Sequence, residues 1–227
     1  ETAHRQEQVR RMLSLNDLPA NLPMFITEHD PYHPKAGSTE YNLINAAGLV
    51  KSLYFTSVFS PSVKVMPWVQ YHNGEIQTRF MWFDGPNEPD TKAEQLRMLP
   101  AGCSMKLLGK HRDWEIVVDN AIANDEIVLA SVQNDGLVVH SVNYGRPRNV
   151  RLRIEGLARV FSALAGGKLR VVKHLIDQEH SKCVADPDYP GGIEKLADSW
   201  FELDGDAITL EHPGLAKNGI LLWEVIP

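Results

Sequence analysis

Apolar positions follow two different periods along the chain, and the period changes near residue 112. Before that point, segments with apolar residues at helical spacing alternate with short apolar runs. This order of helix and strand predicts βα units. The predicted helices span 2–15 and 39–59, the predicted strands span 24–27, 63–71 and 79–83, and 91–111 is predicted to be partly helical with an interruption at 100–102.

After residue 112, short β-rich runs recur about every ten residues, and turn-forming residues separate them. Val150, Leu152 and Ile154 alternate with arginines, which gives one dry face and one wet face. This pattern is typical of an antiparallel β-sandwich. The runs are 115–118, 127–132, 137–142, 150–154, 169–176, 200–203, 207–210 and 219–226. We therefore predict an α/β domain over 1–112 and an all-β domain over 113–227.

The composition narrows the function classes. The chain has 227 residues and a net charge of -6, and its 23 basic residues are scattered, which argues against a nucleic-acid surface. It contains no apolar run near the roughly 20 residues that span a bilayer, so we expect no membrane partner. Cys103 and Cys183 form no Cys-x-x-Cys pair, so we expect no structural zinc and no cofactor. Cys103 and Cys183 could form one long-range disulfide or could be two partly buried thiols, and the sequence does not decide between these states. It does not identify the cellular compartment either.

The most informative stretch is the apolar run Met24–Ile26, which reads as a strand covered on both faces and ends in Thr27 and Glu28. Pro31 and Pro34 exclude a regular element directly afterwards, so Glu28 is predicted near the carboxyl end of the strand. A carboxylate at that position can act as nucleophile, general base or metal ligand. A loop-capping or salt-bridged glutamate is the structural alternative.

Two other motifs are typical of metal binding and of acid/base catalysis. His29, Asp30 and His33 are residue types that bind metals. The prolines at 31 and 34 exclude the helix that would place the two imidazoles on one face, so we expect no metal site. We favour hydrogen bonds to a substrate, or polar loop residues without a specific function. Asn87–Pro89 has the form of the acid/base motif of (β/α)₈-barrel glycosidases. It follows the Thr-Glu pair instead of preceding it, so chain order disfavours Glu88 as the acid/base.

Aromatic residues cluster on the later predicted strands of the first domain. Such rings stack on sugars when they lie at a strand's carboxyl end, and otherwise they pack in a core. We expect at least one of Trp68 and Trp82 to line a pocket. In the second domain, Asp177–Ser181 is too compact for a catalytic triad and predicts a turn with local side-chain hydrogen bonds.

These motifs, in this order, resemble the C-terminal portion of the clan A glycoside hydrolases, most closely glycoside hydrolase family 39, which includes β-xylosidases and α-L-iduronidases. Phe25–Glu28 matches that family's seventh strand, which ends in Thr-Glu, and Leu175–Ser181 resembles an Ile-Asp-x-x-His-Ser string in its appended β-domain. The further matches are 41–54 with its seventh helix, 65–71 with its eighth strand, 104–109 with its closing helix and 138–145 with its β-domain.

The resemblance implies the C-terminal part of a (β/α)₈ TIM barrel followed by a β-sandwich, with Glu28 as nucleophile of a retaining glycosidase. It also implies a carbohydrate substrate. The residues expected to contact that substrate are His29, Asp30, Tyr32, Trp68, Tyr71 and Trp82. The family usually has Trp-Asn after its nucleophile where this chain has His29-Asp30, which leaves the substrate class open.

The first six barrel strands and the family's acid/base glutamate have no counterpart in this sequence. A barrel closes with eight strands, so residues 1–112 alone would expose apolar faces. We therefore expect the chain to be a segment of a longer protein or one partner of a complementing pair. A non-catalytic carbohydrate-binding or structural module that docks on another subunit is the alternative.

Overall fold

The fold is mostly β-sheet with few helices. The computed structural model describes residues 2–29, 39–59, 63–67, 81–83, 96–119, 122–123, 125–161, 167–180 and 193–227. The helices are α1 Thr2–Leu15, α2 Thr39–Phe59, α3 Pro100–Leu108 and α4 Leu157–Val160. The strands are β1 Met24–His29, β2 Val63–Pro67, β3 Met81–Phe83, β4 Leu96–Met98, β5 Trp114–Ile116, β6 Ile122–Ala123, β7 Glu126–Gln133, β8 Gly136–Asn143, β9 Arg148–Glu155, β10 Lys168–Ile176, β11 Glu194–Glu202, β12 Ala207–Leu215 and β13 Ile220–Ile226.

Strands β1 and β2 form a parallel pair, and α2 lies between them in the chain. Met24 is opposite Val63 at one end of the pair, and His29 is opposite Pro67 at the other. A parallel pair needs a long crossover connection, which a helix usually supplies. The predicted βα alternation is confirmed for this part of the chain.

The prediction of an interrupted helix near residue 100 was wrong. Leu96–Met98 is a strand that pairs antiparallel with β3, and α3 then begins at Pro100 and runs through Gly102 without a break. Proline is well tolerated at the first helical position because its missing N–H has no intrahelical partner there. Pro100 therefore starts this helix rather than interrupting it.

Residues beyond 112 build an antiparallel sheet of seven strands in the order β11-β10-β13-β8-β7-β5, with β6 also paired to β7. A second antiparallel pair, β9 with β12, forms a two-stranded ribbon. The predicted strands in this half of the chain are all present, mostly with ends extended by a residue or two. β11 is the largest exception, since it begins six residues before the predicted run at 200.

The seven-stranded sheet has a hydrophobic core on each face. In β8, Leu137 and Val139 belong to the core on the ribbon side, whereas Val138 and Val142 belong to the core shared with α2 and α3. Strand β13 alternates in the same way, with Trp223 toward the ribbon and Leu222 toward the helices. Successive side chains point to opposite faces of a strand, so continuous apolar runs suit strands buried on both sides.

Specific hydrogen bonds join the helices to the sheet. The Tyr144 hydroxyl, just after β8, donates to the backbone oxygen of Ala47 in the middle of α2 over 2.8 Å. The Ser104 hydroxyl of α3 lies 3.5 Å from the backbone oxygen of Ala46, which also belongs to α2. Cys103 is buried in this core, and Cys183 lies outside the described residues. Helix α2 is thus held from two sides.

The beginning of the chain, in contrast, exposes apolar side chains. Phe25 in β1 is 56% exposed, and Val9, Met12, Leu15 and Leu22 are exposed as well. The prediction that β1 is covered on both faces was therefore wrong for this chain. A strand face is covered only where another layer packs on it, and the described residues leave the Phe25 side of β1 largely uncovered. Within the described part, no helix is long and apolar enough to cross a membrane.

Candidate functional site

The predicted nucleophile lies on β1. Glu28 is the next-to-last residue of that strand, and the carboxyl ends of β1 and β2 lie side by side because His29 is opposite Pro67. Side chains from Thr27 onward in this strand are outside the described residues. The backbone therefore agrees with the predicted placement of Glu28 near a strand's carboxyl end, while its catalytic role stays a prediction.

Most of the other predicted site residues fall outside the described part of the chain. These are Asp30, Tyr32, Trp68 and Tyr71, together with the competing Asn87–Pro89 motif. Trp82 has its backbone in β3, opposite Arg97 of β4, and its side chain is not described. The roles of these residues likewise stay predictions.

A cavity of about 690 Å³ lies beside β2. Its wall includes Val63, Lys64 and Val65, the first three residues of that strand. The remaining wall comes from α2, α3, β5, β7 and the segment 109–113 that follows α3. Among the described residues that line this cavity, none is a predicted sugar contact.

Next to this cavity lies a pair of stacked histidines that sequence reasoning missed. The rings of His111 and His140 are 5.7 Å apart and nearly parallel. His111 Nδ1 is 2.8 Å from the Ser131 hydroxyl, which also accepts the Arg112 backbone N–H. Burial lowers the pKa of His111 to about 4, and burial followed by the proximity of His111 lowers the pKa of His140 to about 3. Both rings are therefore neutral at neutral pH.

A partly buried polar group lies where α3 meets the sheet. The Glu224 carboxylate of β13 accepts a hydrogen bond from Lys110 over 2.8 Å, and His174 Nε2 of β10 lies 2.8 Å from the same oxygen. Burial raises the pKa of Glu224, but the hydrogen bonds from Lys110 and His174 outweigh it, so the net shift is downward. These contacts join the end of α3 to two neighbouring strands and are structural in character.

The predicted local turn at 177–180 is confirmed. The Asp177 carboxylate accepts the backbone N–H groups of Glu179 and His180, each at 2.8 Å, and lies 2.9 Å from His180 Nδ1. One carboxylate that accepts several local donors is a typical turn-closing arrangement. Ser181 is outside the described residues. In the described part of the chain, no group of three or more His, Cys, Asp or Glu side chains is arranged to hold a metal ion.

Several solved structures with a similar fold are glycosidases. A glucosidase from Croceicoccus marinus matches with a TM-score of 0.64 at 14% identity, over 98% of this chain and 49% of that chain. In fold, the chain is similar to the C-terminal portion of clan A glycoside hydrolases. A GH39 enzyme from Xanthomonas axonopodis pv. citri matches with a TM-score of 0.64 at 13% identity, over 98% of this chain and 48% of that chain.

A third similar structure, a GH30 endoxylanase from Clostridium papyrosolvens, has a TM-score of 0.52 at 12% identity, over 96% of this chain and 45% of that chain. The chain thus spans about half the length of the glycoside hydrolase structures that it matches. No protein-family model matches the sequence. No curated protein matches it either. The resemblance to clan A glycoside hydrolases that the sequence motifs indicated is thereby confirmed at the level of fold.

Proposed function

We propose that the chain is the C-terminal region of a retaining glycoside hydrolase that cleaves O-glycosidic bonds in an oligo- or polysaccharide. Residues 1–112 form the last part of its TIM barrel, with β1 and β2 as the seventh and eighth strands, and residues 113–227 form its β-sandwich. The observation that carries the proposal is the fold likeness over nearly the whole chain, combined with the position of Glu28 near the carboxyl end of a parallel strand.

The local structure supports this assignment in two ways. In α/β barrels, catalytic residues come from the carboxyl ends of the strands, where Glu28 lies on β1. The exposed apolar side chains of α1 and β1, such as Met12 and Phe25, supply the surface on which further barrel elements would pack.

In the proposed reaction, the Glu28 carboxylate attacks the anomeric carbon and the bond to the leaving oxygen breaks. A second carboxyl group, outside this chain and roughly 5 Å away, protonates that oxygen and later activates the water that releases the sugar. The nucleophile stays ionised while its partner stays protonated, so the two carboxyl groups need different environments. The proposed sugar contacts are those of His29, Asp30, Tyr32, Trp68, Tyr71 and Trp82.

Replacement of Glu28 in the full-length protein tests the proposal. Glu28→Gln keeps the size of the side chain but removes the nucleophile, so we expect turnover of an activated aryl glycoside to fall on the order of 10⁴-fold or more. In Glu28→Ala, added azide can occupy the vacated space and should form a glycosyl azide of inverted anomeric configuration. Circular dichroism should show both variants folded.

Glu88→Gln is the matched control, because Glu88 belongs to the competing Asn-Glu-Pro motif. We expect that variant to keep most of its activity. Substantial residual turnover in Glu28→Gln, or an azide product of retained configuration, would rule out Glu28 as the nucleophile. Proton NMR of the first sugar product, which should keep its anomeric configuration, tests the retaining mechanism.

The same exposed apolar surface on α1 and β1 favours one other function, that of a non-catalytic carbohydrate-binding or structural module docked on another subunit. Intact-mass measurement of the purified native protein separates the two. A chain that carries about 200 residues before Glu1 supports the enzyme, since a full barrel takes about 250. A separate polypeptide that copurifies in equal amount, in a complex without glycosidase activity, supports the docked module.

A further inference from the structure

Trp200 is a large aromatic side chain left exposed on the sheet. It lies on β11, at one end of the strand order of the seven-stranded sheet, opposite Arg170 of β10. Its side chain is 66% exposed, whereas Trp223 of β13 is only 2% exposed. Because burial of a tryptophan is strongly favourable, a ring that folding leaves in water is available for a ligand.

The surroundings of Trp200 are charged rather than apolar. Asp198, Trp200 and Glu202 occupy alternate positions of β11 and therefore share one face. Arg170 donates two hydrogen bonds to Asp198, over 2.8 and 2.7 Å, and Lys195 donates another over 2.9 Å. On the other side of the ring, Glu202 forms an ion pair of 3.3 Å with Lys168.

These ion pairs keep the charged groups in fixed positions beside the ring. Hydrogen bonds from Arg170 and Lys195 hold the pKa of Asp198 well below its usual range, so it stays a carboxylate in any ordinary buffer. The side chains of Arg170 and Asp198 are 44% and 26% exposed, so a ligand at the surface can reach both. The result is one apolar plane with hydrogen-bonding groups on either side.

The size and chemistry of this surface suit a sugar better than a protein. A stable protein interface buries about 800 Å² per partner around an apolar centre, while this surface offers a single aromatic ring within a charged border. A pyranose ring has an apolar face that stacks on tryptophan and a border of hydroxyl groups that bond to carboxylates and guanidinium groups. Both parts of the surface thus have a counterpart in a glycan.

We propose that Trp200, Arg170, Asp198 and Glu202 form a second, non-catalytic binding site for a glycan chain, separate from the site around Glu28. This inference rests on the proposed function, because it assigns the site to the same polysaccharide that the enzyme cleaves. The site would keep a polymeric substrate attached to the protein between cleavage events. It would contribute little to a substrate too short to reach it.

Affinity electrophoresis of the full-length protein tests this site, with soluble xylan and soluble mixed-linkage β-glucan as probes. Glu28→Gln serves as background, so that the polymer is not consumed. We expect Trp200→Ala to weaken retardation by at least one of these polymers about fivefold or more, as loss of a stacking ring should. Trp114→Ala is the matched control, because Trp114 is 71% exposed on β5, at the other end of the strand order.

In the active protein, Trp200→Ala should lower kcat/KM on the polymer and leave kcat/KM on a short aryl glycoside unchanged. Equal weakening by Trp114→Ala, no effect of Trp200→Ala, or no retardation by either polymer would overturn the inference. A Trp200-dependent dimer in sedimentation would also overturn it, since a second copy would then be the occupant. Activity that survives Glu28→Gln would refute the nucleophile assignment alone, because the comparison of the two tryptophan variants would still report on binding.

Discussion

Replacement of His140 by leucine should make the protein more resistant to acid. His140 is fully buried in β8, opposite Leu129 and Leu222, and neither ring nitrogen has a hydrogen-bond partner among the described residues. Its folded pKa is lowered to about 3, mainly by burial, from an ordinary value of 6.5. The unfolded chain therefore binds a proton at this residue well before the folded chain does.

The magnitude follows from that difference. The contribution of His140 to the free energy of unfolding is constant above pH 6.5 and falls as the pH drops toward 3. Only the unfolded state gains a proton at this residue in that range. At pH 4.5, two units below the ordinary value, the loss is roughly 2–3 kcal/mol, at about 1.36 kcal/mol per unit. A leucine of similar size cannot titrate and leaves no hydrogen bond unmade, so it should remove this loss.

Urea unfolding of the full-length protein at pH 7.5, 6.0 and 4.5, followed by circular dichroism, measures the effect. The unfolding free energy of His140→Leu relative to the parent should rise by roughly 2–3 kcal/mol between pH 7.5 and 4.5. His4→Leu, a substitution of an exposed histidine on α1, is the control for the loss of an imidazole as such. If the parent and His140→Leu lost stability in parallel on acidification, the neutral buried histidine would not be a cause of acid sensitivity.

Two further substitutions test the contacts that join distant segments. Asn143 is fully buried, its side-chain N–H donates to the Leu215 oxygen over 2.9 Å, and its side-chain oxygen accepts the Gly145 N–H. Asn143→Ala should therefore lower the free energy of unfolding, measured in urea, by about 2–4 kcal/mol. A loss below about 0.5 kcal/mol would show that water replaces these bonds. Tyr144→Phe removes only the hydroxyl that bonds the Ala47 oxygen, and it should cost about 1 kcal/mol in the same assay. Stability equal to that of the parent would mean that this bond does not hold α2 to the sheet.

Most strands beyond residue 112 were predictable from the sequence. In β9 the apolar residues alternate with arginines, whereas β8 and β13 are nearly continuous apolar runs bounded by turn residues. Helix α2 was also predictable, since a broad apolar stripe from Leu43 to Val58 ends at Ser60-Pro61. The local error at Pro100 arose because proline ends a helix in its interior but favours its first turn, and the sequence alone did not show which position it occupies.

The candidate site was predictable only as far as its backbone. The run Met24–Ile26 placed Glu28 near the end of a strand, and the strand is present. The bond between Tyr144 and Ala47, 97 residues apart, has no sequence signal, and the stack of His111 on His140 has only a weak one, because each depends on packing between distant segments. A histidine inside the apolar run of β8 was the only visible clue, and it reads equally well as an ordinary strand residue.

The two-sided packing of the sheet affects how a gene for such a protein can be divided. A cut near residue 112 would separate α2 and α3 from the strands whose side chains share their core, and it would leave Val138, Val142, Ile220 and Leu222 facing water. Neither fragment would then fold stably when it is expressed or recombined without the other. A gene fragment used for recombination or expression should therefore encode α2, α3 and the seven-stranded sheet together. Any fusion boundary should lie outside these elements.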